Sequence, residues 1–262
     1  MIASALATKS VTLGYDQHII AKNLSVDIPD GKFSVIVGPN GCGKSTLLRT
    51  LSRLLIPQSG KVLLHGQDIH QQSTREVAKK LGLLPQSAIA PDGISVADLI
   101  ARGRFPHQKW FQPWSSEDQK AVEAAMQATG VADFAQQCVD QLSGGQRQRV
   151  WVAMALAQQT PLLLLDEPTT YLDIAHQIEL MDLFQDLNRL QGHTLVAVLH
   201  DLNHACRYAD HLIVMKAGSI IATGAPSDIV TEALIKQVFG LACLVIDDPI
   251  SGTPLIIPRG RG

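Results

Sequence analysis

The chain has 262 residues, a length that fits one large α/β domain or a core with a smaller inserted subdomain. Hydrophobic residues make up 46% and charged residues 18%, which are ordinary values for a globular protein with a sizeable apolar core. The formal net charge of −2 argues against a dedicated DNA-binding domain, which usually carries a basic surface, so we expect no nucleic-acid partner.

The cysteines and the apolar runs indicate the cellular compartment and whether the chain itself crosses a membrane. The four cysteines form no C-x-x-C pair, which favours a reducing, cytosolic setting over a disulfide framework. Residues 1–8 lack the long apolar core of a signal peptide. The longest apolar runs, 150–157 and 195–199, are far shorter than the roughly 18 residues that a transmembrane helix needs. We therefore expect that any membrane association depends on another chain.

The first part of the chain is predicted to form strands. Residues 8–37 alternate apolar and polar side chains in short runs, with turns at Asp16-Gln17 and Pro29-Asp30-Gly31. Tyr15 lies just before the second run, where an aromatic ring either stacks on a nucleotide base or packs within the protein. The pattern by itself leaves both roles open.

A glycine-rich loop follows the β-type run Phe33–Val37. Its sequence is Gly38-Pro39-Asn40-Gly41-Cys42-Gly43-Lys44-Ser45, and a helical run over 46–55 comes next. Strand, G-x-x-x-x-G-K-S loop and helix are the context of a P-loop, whose backbone N–H groups surround a phosphate chain. We expect Lys44 to reach the β- and γ-phosphates and the Ser45 hydroxyl to bind Mg²⁺. The loop predicts binding of ATP or GTP; the alternative is a glycine-rich turn with a solvated lysine.

The middle of the chain changes from β to helical character. Runs 61–64 and 81–84 are typical of strands, and the second ends at Pro85-Gln86. After a turn at 91–93, residues 95–157 follow a helical pattern with a helix start at 115–118, which predicts a helical insertion over 88–158 in an α/β core.

A second glycine-containing motif lies in this insertion. Ser143 and Gln146 form an S-x-x-Q capping box that opens a helix predicted over 147–159. The paired glycines Gly144 and Gly145 leave the backbone bare, so the helix N-terminus is presented to an anionic group. The alternative is simply a well-capped helix.

Two buried-type strands are predicted to deliver the catalytic groups. Run 162–165 leads into Asp166, expected to hold Mg²⁺, and Glu167, expected to polarise the attacking water. The alternative is a helix N-cap pair followed by Pro168. Apolar strands alternating with helices predict a buried parallel sheet, whose carboxyl edge is where ligands bind in open α/β sheets.

Run 195–199 ends at His200 on the same predicted edge. This histidine is placed to hydrogen-bond a γ-phosphate or to hold Glu167 and the water. The spacing of His200 and His204 also suits a metal pair, but the acidic partner of such motifs is missing. A hairpin is expected around Ala217-Gly218, and the proline-containing tail from residue 241 is expected to cover the surface.

Together these motifs resemble those of the ATP-binding cassette (ABC) ATPases. The P-loop, Leu142-Ser143-Gly144-Gly145-Gln146 and the strand ending in Asp166-Glu167 occur in the family's order. The resemblance implies an α/β P-loop NTPase with a RecA-like parallel-sheet core, an N-terminal antiparallel β-subdomain and an inserted α-helical subdomain. It implies one ABC ATPase domain over 1–262, divided into a core with β-subdomain (1–87 and 159–240), a helical signature subdomain (88–158) and a C-terminal tail (241–262).

The resemblance also implies roles for single residues. Tyr15 matches the aromatic A-loop residue that stacks on adenine, Gln86 the Q-loop, and His200 the switch histidine. The signature and D-loop residues, which contact the nucleotide of the opposite subunit, are matched by Ser143, Gly144, Gly145, Gln146 and Asp173. ATP contacts are implied at Tyr15 and at Gly38, Pro39, Asn40, Gly41, Cys42, Gly43, Lys44, Ser45 and Thr46. The implied catalytic group is Glu167, His200, Lys44 and Gln86, and the implied Mg²⁺ ligands are Ser45, Gln86 and Asp166.

Within the family, the chain resembles a stand-alone importer cassette. Segments 92–107, 198–203 and 247–254 are similar to metal-chelate importers, most of all to those of ferric enterobactin and ferric dicitrate. The resemblance implies the ATP-hydrolysing subunit of a ferric-siderophore importer; the alternatives are haem or cobalamin import, or a soluble ABC ATPase outside transport.

The same resemblance implies the partners and the location. The implied partners are a second copy in a head-to-tail dimer, transmembrane permease subunits and, indirectly, a periplasmic or surface siderophore-binding protein. The implied location is peripheral, on the cytoplasmic side of the inner membrane.

Aromatic and basic side chains cluster over 102–114, including Arg104 and Trp114. This composition is typical of interface cores, but it fits equally a lid loop that packs on the helical subdomain. Proximity to Gln86 in the sequence favours a permease-docking groove.

Overall fold

The computed structural model describes residues 4–15, 18–86, 89–108 and 114–260. The chain divides into two compact units, one formed by Met1–Gln72 with Thr194–Gly262 and the other by Ser73–His193. In the described residues, no helix is both long enough and apolar enough to cross a membrane.

The first segment of unit one contains an antiparallel sheet and the start of a parallel one. Its elements are β1 (Ser4–Tyr15), β2 (His18–Pro29), β3 (Phe33–Val37), α1 (Lys44–Leu51), β4 (Ser59–Leu64) and β5 (Gln67–Asp68). β1 pairs antiparallel with both β2 and β4, and the sheet order is β2-β1-β4-β5. The strands expected over 8–37 are confirmed, whereas the expected turn at Asp16-Gln17 lies outside the described residues.

Helix α1 is shorter than the predicted run over 46–55. It ends at Leu51, because Arg53 adopts a left-handed backbone with φ of 67° that stops the helix. Leu54, counted on the apolar face in the sequence pattern, is instead 67% exposed.

The described residues of unit two form two parallel strands and five α-helices, besides short 3-10 turns. In chain order it contains α2 (Thr74–Lys80), β6 (Leu81–Leu84), α3 (Val96–Ala101), α4 (Ser116–Ala128), α5 (Gly144–Ala157), β7 (Leu162–Asp166) and α6 (Ile174–Gln191). β6 and β7 run parallel, with Leu84 opposite Leu165. The helix start expected at 115–118 is confirmed, since the Ser115 and Asp118 side chains form a reciprocal capping box at the start of α4.

A buried ion pair anchors the helices of unit two. Arg104 is 2% exposed; its Nε donates to Asp118 at 2.8 Å and its Nη1 donates to the carbonyl of Ala157 at 2.8 Å. A hydrogen bond from Ser115, followed by the Arg104 guanidinium, holds the pKa of Asp118 below its usual value.

This burial bears on the predicted interface patch. Arg104 belongs to the interior and not to a docking surface, whereas Phe105 and Trp114 are 63% and 43% exposed. Residues 109–113 of the patch lie outside the described residues.

The second segment of unit one completes its parallel strands. It contains β8 (Thr194–Val198), α7 (Leu202–Tyr208), β9 (His211–Lys216), β10 (Ser219–Gly224), α8 (Pro226–Ile229), α9 (Glu232–Phe239), β11 (Cys243–Asp247) and β12 (Pro254–Pro258). β3 pairs in parallel with β8 on one side and β9 on the other, and every residue of β3 and β8 is buried. The predicted fold class, a parallel core with an antiparallel β-part and inserted helices, is confirmed.

The end of the chain is more regular than the sequence indicated. The hairpin expected around Ala217-Gly218 is confirmed, because both residues have positive φ and connect β9 to β10. The tail, by contrast, forms a second hairpin of β11 and β12. Its strand β12 is fixed to α7 by Asn203, which accepts from the N–H of Ile256 and donates to its carbonyl.

Candidate functional site

The glycine-rich loop of unit one connects buried strand β3 to helix α1. Gly43 caps the helix with φ of 103°, a backbone that a side chain would strain. A Cβ on Gly38 would lie 2.3 Å from the carbonyl oxygen of Met215 on β9, so this position admits only glycine. The loop therefore needs glycine for two different reasons: a positive φ at Gly43 and a close backbone approach at Gly38.

Lys44 is held by the loop that it follows. Its ammonium donates to the carbonyl oxygens of Gly38, at 2.9 Å, and Pro39, at 3.2 Å, and the residue is only 5% exposed. Burial raises the pKa of the neighbouring Cys42 thiol, and the charge of Lys44 partly opposes this shift. The loop thus places one fixed positive charge beside the N-terminus of α1, an arrangement that suits a phosphate chain.

The other predicted contacts of unit one lie at two strand ends. Tyr15 ends β1, its ring is about 40% exposed, and its hydroxyl accepts from Arg49 at 3.3 Å. His200 follows β8, whose last residue pairs in parallel with Ile36, so His200 and the start of the P-loop emerge at the same sheet edge.

The His200/His204 pair has a structural explanation. Asp201 caps α7 by accepting from the N–H of His204 at 2.8 Å, and the His204 ring packs edge-on against Tyr208. Among the described residues, no group of three or more His, Cys, Asp or Glu side chains is arranged to hold a metal ion.

Unit two brings Gln86 and Glu167 into contact. β6 and β7 are parallel, and Leu84 lies opposite Leu165. The segments that follow the two strands therefore leave the sheet at the same edge. The Nε2 of Gln86 donates to a carboxylate oxygen of Glu167 at 2.7 Å. Asp166, the last residue of β7, is 3% exposed. The Asp166 carboxylate is thus buried, whereas the Glu167 carboxylate accepts a hydrogen bond from Gln86. This difference agrees with the different roles predicted for the two residues.

Glu167 has an unusual backbone. Its φ is 53°, in the left-handed region that a non-glycine residue adopts at a cost of roughly 1–2 kcal/mol. Strain of this kind persists when the surrounding structure holds the backbone, and it is found preferentially at functional sites.

The signature segment forms the predicted capping box. Gln146 N–H donates to the Ser143 hydroxyl at 3.3 Å, and Ser143 N–H donates to the Gln146 side chain at 2.9 Å. Helix α5 starts at Gly144, earlier than the predicted 147, because both glycines already lie in its first turn. Ser143 and Gly144 are exposed, so the helix N-terminus faces outward.

The two signature glycines also lie against the loop that follows Glu167. A Cβ at Gly145 would be 3.3 Å from a Leu172 methyl group, and one at Gly144 would be 3.7 Å from the Cβ of Tyr171. Asp173 ends this loop and caps α6 by accepting from the N–H of His176, a bond that lowers the pKa of Asp173. The two signature glycines therefore pack against the loop that Asp173 ends, within unit two.

One residue of this region was missed by the sequence analysis. Gln148 is 8% exposed, and its Nε2 donates to the carbonyl of Pro168 at 2.9 Å. It shares a helix face with the buried residues Val152 and Ala155, so a polar side chain on an otherwise apolar face was the available signal.

A comparison with known proteins adds a family and close relatives. Residues 21–170 match the family model described as ABC transporter. The chain is 58% identical to the ferric enterobactin transport ATP-binding protein of Escherichia coli (strain K12), over 98% of this chain and 94% of that protein. It is 53% identical to the achromobactin transport ATP-binding protein of Dickeya dadantii (strain 3937), over 98% and 96% of the two chains.

Solved structures give the same fold. A metal-chelate type ABC transporter in an inward-facing conformation matches with a TM-score of 0.83 and 28% identity, over 99% of this chain and 98% of that one. A dimeric ATP-binding cassette in a post-hydrolysis state bound to ADP and Pi matches with a TM-score of 0.75 and 31% identity, over 84% and 98%.

Proposed function

The chain belongs to the ABC transporter family, and we propose that it is the ATP-hydrolysing subunit of an importer for a ferric siderophore. The structural observation that carries the ATP-hydrolysing part of the proposal is the hydrogen bond between Gln86 and Glu167 at the end of β7. It places a fixed carboxylate beside a glutamine in a chain that also has a P-loop and an exposed signature helix. The names of the two relatives support the siderophore as cargo.

Nucleotide binding follows from the P-loop. Its backbone N–H groups and the α1 N-terminus bind the phosphate chain of ATP, and Lys44 supplies the positive charge. Tyr15, with an exposed ring at the end of β1, stacks on the adenine. Cys42 stays a neutral thiol because burial raises its pKa, so it adds no negative charge beside the phosphates.

Mg²⁺ is the second cofactor of the proposal. The residues assigned to it by motif, Ser45, Gln86 and Asp166, offer hydroxyl, amide and carboxylate oxygens, which are the donors that this ion prefers. A single carboxylate among them fits an ion that is bound largely through substrate phosphates. When bound, Mg²⁺ neutralises charge that develops on the phosphates during transfer.

Hydrolysis is assigned to Glu167, which accepts a proton from the attacking water. Gln86 orients the carboxylate through their hydrogen bond, and His200 contacts the γ-phosphate from the end of β8. Ser143 to Gln146, with Asp173, complete the site of a second copy in a head-to-tail dimer. The exposed N-terminus of α5 supports this role, because it offers N–H groups to a phosphate outside its own chain.

Transport requires further partners. Transmembrane permease subunits convert closing and opening of the dimer into import, and a periplasmic or surface protein delivers the siderophore. The proposed location is therefore the cytoplasmic face of the inner membrane, with the chain held there by the permease.

Two variants test the ATPase assignment. Glu167→Gln should bind ATP and dimerise while hydrolysis falls by about 10²- to 10⁴-fold, the usual contribution of a general base. Lys44→Ala should lose nucleotide binding or turnover. Normal ATP turnover by either variant would contradict the residue's assigned role.

A growth experiment tests the cargo. A strain that lacks this chain is grown with a single iron chelate at a time, and it is complemented with wild-type or Glu167→Gln protein. Loss of growth on one ferric siderophore, restored only by wild type, is the expected result. A growth defect confined to haem or cobalamin would indicate that this compound, and not a ferric siderophore, is the cargo. Stimulation by nucleic acid, without co-purification of a polytopic membrane protein, would indicate a non-transport ABC ATPase.

A further inference from the structure

Gln148 holds the carbonyl group of Pro168, the residue that follows Glu167. The side-chain Nε2 of Gln148 donates to the carbonyl oxygen of Pro168 at 2.9 Å, and Gln148 is nearly buried. Pro168 has no backbone N–H, so this carbonyl is the only backbone group through which hydrogen bonding can fix the residue. The position of Pro168 therefore depends on a side chain of helix α5.

The Glu167 backbone needs such support. Its positive φ is unfavourable for a residue with a side chain, and the following proline restricts its conformation further. One local bond, from Thr170 N–H to the Glu167 carbonyl at 3.2 Å, closes a turn on the far side. Within this turn, Gln148 restrains the carbonyl group of Pro168. Gln86 restrains the carboxylate of Glu167 itself.

The same helix carries the signature segment. Gln148 is one turn after Gly144 on α5, and Gly144 and Gly145 lie against Tyr171 and Leu172 in the loop that Glu167 begins. Helix α5 is continuous over 14 residues and has a complete capping box, so we expect a displacement of its N-terminus to reach Gln148. Such a displacement would act on the loop at Tyr171 and Leu172 and, through the Gln148 bond, at the carbonyl of Pro168.

We propose that Gln148 is a positioning residue for hydrolysis, which keeps Glu167 in its active geometry and couples it to the signature helix. This inference rests on the proposed role of Glu167 in activating water. When α5 contacts the nucleotide held by the second copy, the Gln148 bond transmits that contact to the Glu167 of its own chain. Gln148 itself touches neither ATP nor the water.

The first test is Gln148→Met in the full-length protein, because methionine keeps the length of the side chain and removes the donor. We expect kcat for ATP to fall at least tenfold, towards the roughly 10²-fold that misplacement by about 1 Å can cost. KM for ATP and the ATP concentration that drives dimerisation should stay within about twofold of wild type. Because an unfolded fraction would also lower the apparent kcat without changing KM, kcat is expressed per folded, ATP-binding molecule.

A matched control comes from the end of the same helix. Gln158 likewise donates from Nε2 to a backbone carbonyl, that of Ala78, at 2.5 Å. Gln158→Met should lower thermal stability while kcat per folded molecule stays at the wild-type value. An equal loss of kcat in both variants would overturn the proposal, because the effect would then be one of general stability.

The second test is Gln148→Glu, which also serves if the methionine variant does not fold. A protonated glutamate can donate to the Pro168 carbonyl, whereas the ionised form cannot. The ratio of variant to wild-type kcat should therefore fall as pH rises through the pKa of the introduced carboxyl group. A ratio near one at every pH would overturn the proposal.

Glu167→Gln, assayed alongside, separates the two levels of inference. If Glu167→Gln hydrolyses ATP normally, the proposed function of Glu167 fails. If Glu167→Gln is inactive but Gln148→Met is fully active, only the positioning role of Gln148 fails.

Discussion

The P-loop and the loop that begins at Glu167 hold their functional groups by different means. Lys44 is bound by carbonyls of Gly38 and Pro39, within six residues of itself, and the loop needs glycines where a side chain would collide. The Glu167 carboxylate instead accepts from the side-chain amide of Gln86, 81 residues away, and the carbonyl of the next residue, Pro168, accepts from the side-chain amide of Gln148. The P-loop should therefore be intolerant of added atoms, whereas the Glu167 loop should be sensitive to the loss of an amide donor.

The largest expected effect is a loss of stability on removal of the buried ion pair in unit two, with no change in the position of Glu167. Asp118→Ala removes one partner of the buried pair with Arg104, which should cost about 3–5 kcal/mol of unfolding free energy. The variant should unfold at lower temperature in calorimetry, while kcat per folded molecule stays unchanged. A loss of kcat per folded molecule would contradict this separation, because it would show that the geometry of Glu167 depends on the ion pair as well.

The same ion pair predicts a dependence on pH. The pKa of Asp118 is lower in the folded state than in the unfolded state, so its contribution to stability is complete above the unfolded value of about 4. It should be lost as pH falls below about 4 through the folded pKa. Denaturant titrations should show a smaller acid-induced loss of stability in Asp118→Ala than in wild type.

Gly38→Ala tests the intolerance of the P-loop. The added methyl group would meet the Met215 carbonyl, a backbone group that cannot move aside, and overpacking of this kind costs roughly 1–3 kcal/mol. ATP affinity should fall about tenfold to a hundredfold, as measured by calorimetric titration. Gly260→Ala, where a Cβ would meet nothing within 4 Å, is the control and should bind ATP normally.

Gln86→Met tests the opposite expectation for the Glu167 loop. The methionine adds no bulk but removes the donor to the carboxylate, so kcat should fall about tenfold, equivalent to about 1.4 kcal/mol. ATP-driven dimerisation should persist. Steady-state assays beside Gln137→Met, a change at an exposed glutamine of the same unit, provide the comparison. Equal activity of the two variants would show that the observed hydrogen bond has no part in turnover.

The smallest expected effect concerns the signature cap. Ser143→Ala should cost about 1 kcal/mol, because the N–H of Gln146 loses its acceptor. Ser143→Asp keeps an N-cap acceptor but brings negative charge towards the place proposed for the nucleotide of the second copy. Its stability should match wild type in thermal unfolding, while ATP-driven dimerisation, followed by size-exclusion chromatography, should be lost. Dimerisation unchanged in Ser143→Asp would argue against a partner phosphate at this helix end.

Several elements were readable from short stretches of sequence. The strand–loop–helix order around Lys44, the capping box of Ser143 and Gln146, and the hairpin at Ala217-Gly218 each depend on residues within a few positions of one another. The sequence predicted the structure less well where a contact between distant residues or an unusual backbone conformation sets the end or the form of an element. Helix α1 stops at Leu51 because of a left-handed Arg53, and the tail forms the β11–β12 hairpin, which Asn203 fixes to α7.

The amino-acid sequence by itself determined the family and the local elements: a glycine-rich P-loop before a helix, a carboxylate pair after a buried strand, and an exposed helix N-terminus with two glycines. These depend on residue type at close spacing, and local backbone physics is enough to specify them. Only the tertiary structure decided that Gln86 reaches Glu167, that Gln148 holds Pro168, and that Arg104 is buried beside Asp118. Each of these contacts joins groups from separate segments of the chain, and only packing brings them within hydrogen-bond distance.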